Sequence, residues 1–125
     1  MQLADVARIH VDQIERYGDP AGIRDLGLLQ SAVAMPQASF DGEWLHRDWY
    51  EMAAAYAFHV SRNHAFIDGN KRTALACALV FMEINGISIQ YTEEQLYQTM
   101  NDVASGVLDK LGLAEVFRGL VKEWL

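Results

Sequence analysis

Hydrophobic residues recur at helical spacing along most of this chain. In the first segment, the apolar positions that share one helix face are Leu3, Val6, Ile9, Ile14 and Tyr17. Gly18 follows them, and glycine readily takes the left-handed conformation that ends helices, so the pattern predicts a helix over residues 2–17. A second, short helix begins near Leu26 and must end near Met35, because Pro36 disfavours helical geometry in the residue before it.

Two longer helices are predicted in the middle of the chain. Asp48 and Glu51 form a capping-box-like pair at the start of the first, which we expect over about residues 49–62. The second covers about residues 70–85, carries the longest apolar run on nearly every face and stops before Gly86. Its hydrophobicity indicates that it is the buried central helix.

Two further helices complete the prediction. Thr92 with Gln95 opens one that ends near Ala104, and the pattern from Leu113 to Trp124 predicts the last. About six helices, with only a brief alternation of apolar residues between them, make the fold class all-α. Because 125 residues is the usual size of one domain and no linker or repeat interrupts them, we expect one domain over the whole chain.

Residues 35–48 form the longest stretch without helical periodicity. Asp41-Gly42 lies at its centre, between the aromatic residues Phe40 and Trp44, and such a pair between apolar residues favours a two-residue hairpin turn. An ordinary exposed loop and a short functional ribbon both fit this pattern. The aromatic residues favour the ribbon, because loops that hold aromatics near a cleft often bind a partner.

Composition and charge exclude several classes of protein. Hydrophobic residues make up 51% and charged residues 22%, so a packed core is expected and a disordered chain is excluded. A net charge of -7 is poorly suited to a polyphosphate backbone, so we expect no direct nucleic-acid partner. The longest apolar run, residues 74–82, is too short to span a membrane, and residues 1–5 do not resemble a secretion signal, so we expect a cytoplasmic protein. A single cysteine, Cys77, excludes an internal disulfide.

Candidate chemistry is concentrated in residues 64–73, a polar and charged stretch at the start of the most hydrophobic helix. Free amides at the start of a buried helix, together with the helix dipole, form a site for phosphate oxygens. Gly69 permits close approach, and Lys71 and Arg72 add cationic donors. Cations in a first turn oppose the helix dipole, which itself indicates a nearby anion.

Two more residues of this stretch supply what phosphoryl or nucleotidyl transfer requires. His64 accepts a proton near neutral pH, and Asp68 is a hard oxygen ligand suited to magnesium carried on a nucleotide. A base, a metal ligand and a phosphate cradle fit such a reaction. The alternatives are that His64 is a hydrogen-bonded structural histidine and that Asp68 only caps the helix. We interpret Phe66 as an anchor that holds the loop on the core.

Other nucleotide and metal motifs do not fit. The segment is not a P-loop, because Lys71 is followed by Arg72 and not by Ser or Thr. His59 and His64 are five residues apart across a helix end with no third ligand nearby, which makes them a poor metal pair. We expect the remaining histidines and Cys77 in the core or on the surface.

The same segment resembles the signature of the Fic/Doc family, His-x-Phe-x-Asp/Glu-Gly-Asn-x-Arg. The matching residues are His64, Phe66, Asp68, Gly69, Asn70 and Arg72. Outside the signature, the stretches that look like the Doc branch of this family are Tyr17-Gly18, Gly22-Ile23-Arg24-Asp25, Leu28-Leu29 and Pro36-Gln37. The resemblance implies a compact all-helical bundle with a small flap before the helix that leads into the signature, where residues 35–48 lie.

The resemblance also implies a role for each signature residue. His64 would be the base that activates a target hydroxyl, and Asp68 would hold Mg2+ on the phosphates of ATP. Arg72 would complete the catalytic set with them. Together with the local amides, the residues implied in phosphate binding are Gly69, Asn70, Lys71 and Arg72.

Two positions indicate the Doc branch rather than the adenylylating Fic pattern. Lys71 stands where adenylylating enzymes have a second glycine, and Leu75 stands where they usually have a second arginine. The Doc branch implies a toxin that transfers the γ-phosphate of ATP to a threonine of elongation factor Tu and blocks translation. Transfer of AMP to a protein hydroxyl is the alternative reaction. A catalytically silent binding module is a second alternative, against which the intact signature argues.

The inhibitory motif of the family, Ser/Thr-x-x-x-Glu-Gly/Asn, does not occur in this sequence. The Doc branch therefore implies restraint by a separate antitoxin, whose carboxy-terminal segment folds into a groove on the toxin. The expected partners are elongation factor Tu as the target and an antitoxin as the regulator.

Overall fold

Six α-helices and one short hairpin form the part of the chain that the computed structural model describes, residues 1–18 and 20–121. The elements are α1 (Leu3–Tyr17), α2 (Leu26–Ala34), β1 (Ser39–Phe40), β2 (Glu43–Trp44), α3 (Trp49–Asn63), α4 (Asn70–Ile84), α5 (Glu93–Ala104) and α6 (Lys110–Gly119). A single 3-10 turn, Met35–Gln37, continues from α2. The all-α class and the number of helices are confirmed.

The hairpin lies where the sequence predicts it. Its strands are antiparallel, and the paired residues are Ser39 with Trp44 and Phe40 with Glu43. Asp41 and Gly42 both have positive φ, 53° and 82°, as a two-residue turn of this hand requires. Phe40 is 82% exposed, so this strand pair contributes an aromatic surface rather than core.

Side-chain caps fix the starts of four helices. In each case the side chain of the residue before the helix accepts a hydrogen bond from a first-turn amide, and these residues are Asp25, Asp48, Thr92 and Asp109. The first helix ends at Gly18, whose φ of 72° is left-handed. The predicted caps Asp48 and Thr92 and the terminator Gly18 are therefore confirmed.

Helix α3 lies at the centre of the bundle and packs against α2, α4, α5 and α6. Its small residues Ala53, Ala54 and Ala57 are fully buried, which lets the neighbouring helices approach closely. The prediction that α4 is the central helix is wrong, because α4 contacts α1, α3 and α5, whereas α3 contacts four other helices among the described residues. Among the described residues, no helix is long and apolar enough to cross a membrane.

The last helix differs from its prediction at both ends. It begins at Lys110, three residues before Leu113, because the Asp109 side chain accepts from the amide of Gly112 at 2.7 Å. It ends at Gly119 because the next two residues leave the helix: the Leu120 carbonyl accepts from Gln90 at 2.7 Å, and Val121 forms a bridge with Ile89. The rest of the predicted helix, residues 122–124, lies outside the described residues.

Candidate active site

The signature loop, residues 64–69, connects the end of α3 to the start of α4. His64 and Asp68 are exposed, whereas Ala65 and Phe66 between them are fully or almost fully buried. The loop is therefore fixed to the core by its middle and presents its two titratable side chains to solvent. The structure thus brings the predicted base and the predicted metal ligand to one short, exposed segment.

His64 ends α3 in a left-handed backbone conformation, with φ 49° and ψ 44°. Residues with a Cβ rarely occupy this region, so the surrounding structure must stabilise the turn. The preceding Asn63 contributes, because its Nδ2 donates to the carbonyl of Leu28 at 2.9 Å. The imidazole itself is exposed and forms no hydrogen bond within the described chain. The alternative of a hydrogen-bonded structural histidine finds no support in this environment.

Residues 22–25, which we call the brace, run alongside the signature loop. The amide of Ile67 donates to the carbonyl of Gly22 at 3.0 Å. In return, two successive amides of the brace donate to the carbonyl of Ala65 at 2.7 and 3.0 Å. The loop therefore pairs with a second piece of chain in the manner of a short antiparallel ladder, which satisfies its backbone groups.

Arg24, in the brace, is a site residue for which the sequence predicted no role. Its guanidinium donates from Nε and from Nη2 to the carbonyl oxygen of His64, at 2.8 and 2.6 Å. The only signal in the sequence was the likeness of residues 22–25 to the Doc branch. Local patterns could not reveal the contact, because the two residues are 40 positions apart.

Phe66 lies against a buried histidine. It is 1% exposed and stacks on His10 with the ring centroids 3.7 Å apart and the planes 11° from parallel. His10 also shares a hydrogen bond of 3.0 Å, from Nδ1, with the hydroxyl of Thr73, and burial lowers the pKa of His10. Phe66 thus occupies the position expected of an anchor, and His10 is part of the core beneath the loop.

The side chain of Asn70 closes the signature loop. Its Oδ1 accepts from the amide of Phe66 at 3.0 Å, and its Nδ2 donates to the carbonyl of Phe66 at 3.1 Å. Both polar atoms of the side chain are therefore engaged with the backbone of one residue, Phe66. The backbone amide is the group with which Asn70 can meet a phosphate, and its predicted role in phosphate binding stays a prediction.

Gly69 precedes α4 as its N-cap residue. Its φ of 71° suits glycine, and it has no side chain that could cap the helix. The carboxylate of Asp68 accepts from the adjacent amide of Gly69 at 2.7 Å and not from the first turn. The alternative that Asp68 only caps α4 therefore does not fit. The first turn keeps the donor amides and the positive dipole end that attract anions.

Both cations of the first turn are exposed and oriented by neighbouring helices. Lys71 Nζ donates to Asn101 Oδ1 of α5 at 2.9 Å. The guanidinium of Arg72 lies 3.9 Å from the centre of the Tyr17 ring, at the end of α1, in a cation–π contact. The structure thus brings all the predicted phosphate-binding residues to one helix start.

A second group of polar residues lies between α3 and α6, and we call it the α3–α6 cluster. Its members are His46, Asp48, His59, Lys110, Glu115 and Arg118. His59 Nε2 lies 3.2 Å from Lys110 Nζ. The pKa of His59 is lowered to about 4, mainly by burial and then by the charges of Lys110 and His46.

A cleft of about 370 Å³ lies near this cluster. The residues that line it are Glu51, Leu111, Gly112, Ala114, Glu115 and Arg118, and none of them belongs to the signature loop.

The fold and the site together define a class of protein, an α-helical bundle in which a braced and exposed loop leads into the uncapped start of a buried helix. Residues 1–82, which include the signature, match the model of the Fic/DOC family. The chain belongs to this family.

Two relatives specify the branch. The first is "Toxin Doc" of Mycolicibacterium smegmatis (strain ATCC 700084 / mc(2)155), 38% identical over 105 residues, which cover 82% of this chain and 81% of the relative. The second is "Protein kinase doc" of Escherichia phage P1, 31% identical over 116 residues, which cover 93% of this chain and 90% of the relative. These similarities support the Doc branch of the family, as the resemblance of the signature implied.

Proposed function

We propose that this chain is a Doc-type toxin that acts as a protein kinase in the cytoplasm. It transfers the γ-phosphate of ATP to a threonine of elongation factor Tu and so blocks translation. The names of its two relatives, a toxin and a protein kinase, support this proposal. The observation that carries it is the placement of His64 and Asp68 on the loop that leads into the uncapped start of α4.

The start of α4 suits the phosphates of ATP. Gly69 allows the phosphates to approach the first-turn amides, which no described side chain caps. Lys71 and Arg72 add two exposed positive charges beside them. Asn70 contributes its amide, because its side chain is engaged with Phe66.

Asp68 suits a magnesium ion that arrives on the nucleotide. Its carboxylate is exposed, and within the described residues it accepts one hydrogen bond, from the amide of Gly69. Proteins commonly bind Mg2+ through one or two carboxylates together with substrate phosphates. In the described part of the chain, no group of three or more His, Cys, Asp or Glu residues could hold a metal alone, so phosphate oxygens and water would complete the shell. Bound magnesium would neutralise phosphate charge.

His64 serves as the general base in this proposal. The hydroxyl oxygen of the target threonine forms a bond to the γ-phosphorus while the bond from that phosphorus to the β–γ bridging oxygen breaks. The hydroxyl proton passes to an imidazole nitrogen of His64, and ADP leaves with the electron pair of the broken bond. Arg72 and Lys71 offset the charge on the leaving diphosphate, and such positioning and neutralisation supply most of the catalysis in phosphoryl transfer.

Lys71 supports phosphate transfer over AMP transfer. It places a side chain and a charge where adenylylating enzymes of the family have a glycine, and so changes how the phosphates lie at the first turn. Its hydrogen bond to Asn101 holds that side chain across the gap between α4 and α5. With the phosphates reoriented, the γ-phosphate faces the hydroxyl held by His64.

Separately labelled nucleotides test the reaction. The purified chain is incubated with magnesium, elongation factor Tu and ATP labelled at either the γ or the α phosphate, and the intact mass of the factor is measured. We expect the γ label, a phosphate increment and a modified threonine. Incorporation of the α label with an adenylyl increment would establish AMP transfer instead. Failure to incorporate either label would favour the silent binding module.

The proposal includes an antitoxin as the regulating partner, and the relative named as a toxin supports it. Expression of the chain alone is expected to stop bacterial growth, and co-expression of an antitoxin that occupies a surface groove of the chain is expected to restore it. Normal growth at a confirmed expression level of the chain would contradict the toxin assignment.

A further inference from the structure

Arg24 holds the backbone of His64 through two converging hydrogen bonds. Nε and Nη2 of the guanidinium donate to the same carbonyl oxygen at 2.8 and 2.6 Å. The backbone amide of Arg24 donates at the same time to the carbonyl of Ala65, at 2.7 Å. A single residue of the brace therefore fixes two successive carbonyls at the point where the chain turns out of α3.

This turn depends on such contacts. His64 has a φ of 49°, a conformation that is unfavourable for a residue with a Cβ and that persists only when its surroundings stabilise it. Both His64 and Arg24 are exposed, so burial in the core does not hold either side chain. Hydrogen bonds from a charged donor are roughly twice as strong as those between neutral groups. The guanidinium is thus the strongest described contact on the carbonyl of His64.

We propose that Arg24 is a positioning residue for His64, acting on the backbone from which the imidazole projects. The inference rests on the proposed function, in which His64 is the base. The backbone conformation of His64 sets the direction of its Cα–Cβ bond and therefore the position of the imidazole relative to the start of α4. Displacement of a reacting group by about 1 Å costs about 100-fold in rate.

The geometry calls for arginine at this position. The guanidinium is planar, and its Nε–H and one Nη–H point in nearly the same direction, so both can reach one oxygen. A lysine at position 24 has one compact ammonium on a flexible stem and would offer the carbonyl a single, less directed bond. We therefore expect the activity of the parent to exceed that of Arg24→Lys, and Arg24→Lys to exceed Arg24→Met.

Histidine NMR tests the positioning without any assay of activity. The chain has four histidines, so selective 13C and 15N labelling gives four sets of signals, and the set that disappears in His64→Ala belongs to His64. The 13Cα and 13Cβ shifts report the backbone conformation. In Arg24→Met we expect these shifts of His64 to move away from left-handed values or to broaden, with the other three sets unchanged. Arg8→Met, which removes an exposed arginine of α1, is the matched control and should leave all four sets in place.

Kinetics of phosphate transfer supply the second readout. In Arg24→Met we expect kcat to fall by about 10- to 100-fold while KM for ATP stays close to that of the parent, because the phosphate-binding helix start is intact. Added guanidinium ion should restore part of the loss, because the vacated site is open to solvent, and should not affect Arg8→Met. Arg24→Lys is a milder variant, and its thermal unfolding can be compared with that of the parent.

The positioning role of Arg24 and the role of His64 as the base are contradicted by different results. If the His64 signals of Arg24→Met coincide with those of the parent, Arg24 does not hold His64 and the inference is overturned whatever the activity. A shifted His64 signal with an undiminished kcat, when His64→Ala is inactive, overturns the positioning role as well. Transfer at the parent rate by His64→Ala would instead show that the proposed base is wrong.

Discussion

The signature loop follows the end of α3, whereas the α3–α6 cluster lies between α3 and α6, and the polar side chains of the two regions have different hydrogen-bond partners. In the cluster, polar side chains contact one another: His59 lies 3.2 Å from Lys110, and Asp48 pairs with Arg118 at 2.8 Å. In the loop, the hydrogen bonds go to the backbone, while the side chain of His64 remains exposed.

This difference separates polar side chains that stabilise the fold from polar side chains that are available for chemistry. The charged side chains of the cluster are paired with each other, and burial lowers the pKa of His59 so far that it is neutral near pH 7. A loop whose backbone is held by the brace can present its side chains to solvent at little cost. The pairing of the backbone, rather than the count of histidines, therefore marks the candidate site.

Replacing the two histidines of α3 gives the largest expected contrast. His64→Ala should lower the rate of phosphate transfer by about 10²- to 10⁴-fold, the usual effect of removing a positioned base, and leave thermal unfolding unchanged because the side chain is exposed. His59→Gln should do the reverse, keeping the transfer rate and changing stability. Rate assays and thermal denaturation of both variants test this contrast. Equal losses of transfer rate in His64→Ala and His59→Gln would contradict the distinction between the signature loop and the α3–α6 cluster.

Asp68→Asn tests whether the carboxylate of the loop binds magnesium. Asn can still accept from the amide of Gly69 but is a poorer magnesium ligand, so stability should hold while the transfer rate falls by at least roughly 10- to 100-fold. Asp109→Asn is the matched control, since it caps α6 and Asn caps about as well as Asp. Transfer rates over a magnesium titration provide the measurement. Superimposable titrations for the parent and Asp68→Asn would contradict the metal role.

Much of this arrangement could be predicted from the sequence, because its determinants are local. Helix periods, the caps Asp48 and Thr92, the Asp-Gly turn and the chemistry of residues 64–72 are each contained in a few adjacent positions. The contacts of Arg24 with His64 and of His10 with Phe66 join residues far apart in the chain, and no local pattern specifies them. The central place of α3 was also missed, since its buried alanines have low hydrophobicity but allow the closest packing.

Gly22→Ala tests how far the stability of the chain depends on the conformation of the brace. Gly22 has φ +136°, a conformation that residues with a Cβ rarely adopt, and an added Cβ would lie 2.7 Å from Ile67 Cδ1, the end of an exposed side chain that must turn away. We expect a loss of about 1–3 kcal/mol in the free energy of unfolding, measured by urea denaturation, together with a lower transfer rate. Gly119→Ala is the control of opposite sign: its Cβ meets nothing within 4 Å in α6, and it should gain up to about 1 kcal/mol. Equal stability of the parent and Gly22→Ala would show that the left-handed conformation of Gly22 is not needed for the brace.

The pH dependence of stability gives the smallest and most specific test of the α3–α6 cluster. The pKa of His59 is about 4 in the folded chain against an ordinary value of 6.5, so below pH 6.5 the unfolded chain binds a proton that the folded chain refuses. The free energy of unfolding should therefore decline as the pH falls from about 6.5 to about 4, and His59→Gln should decline less over that window. Burial also lowers the pKa of His10, whose contribution is common to both proteins and cancels in the difference, whereas His46 is coupled to His59 through its charge and belongs to the same response. Denaturation curves at a series of pH values measure this difference, and parallel declines would show that His59 is not held neutral by its surroundings. Lys110→Met should raise the pKa of His59 without returning it to 6.5, because burial is the larger cause and remains.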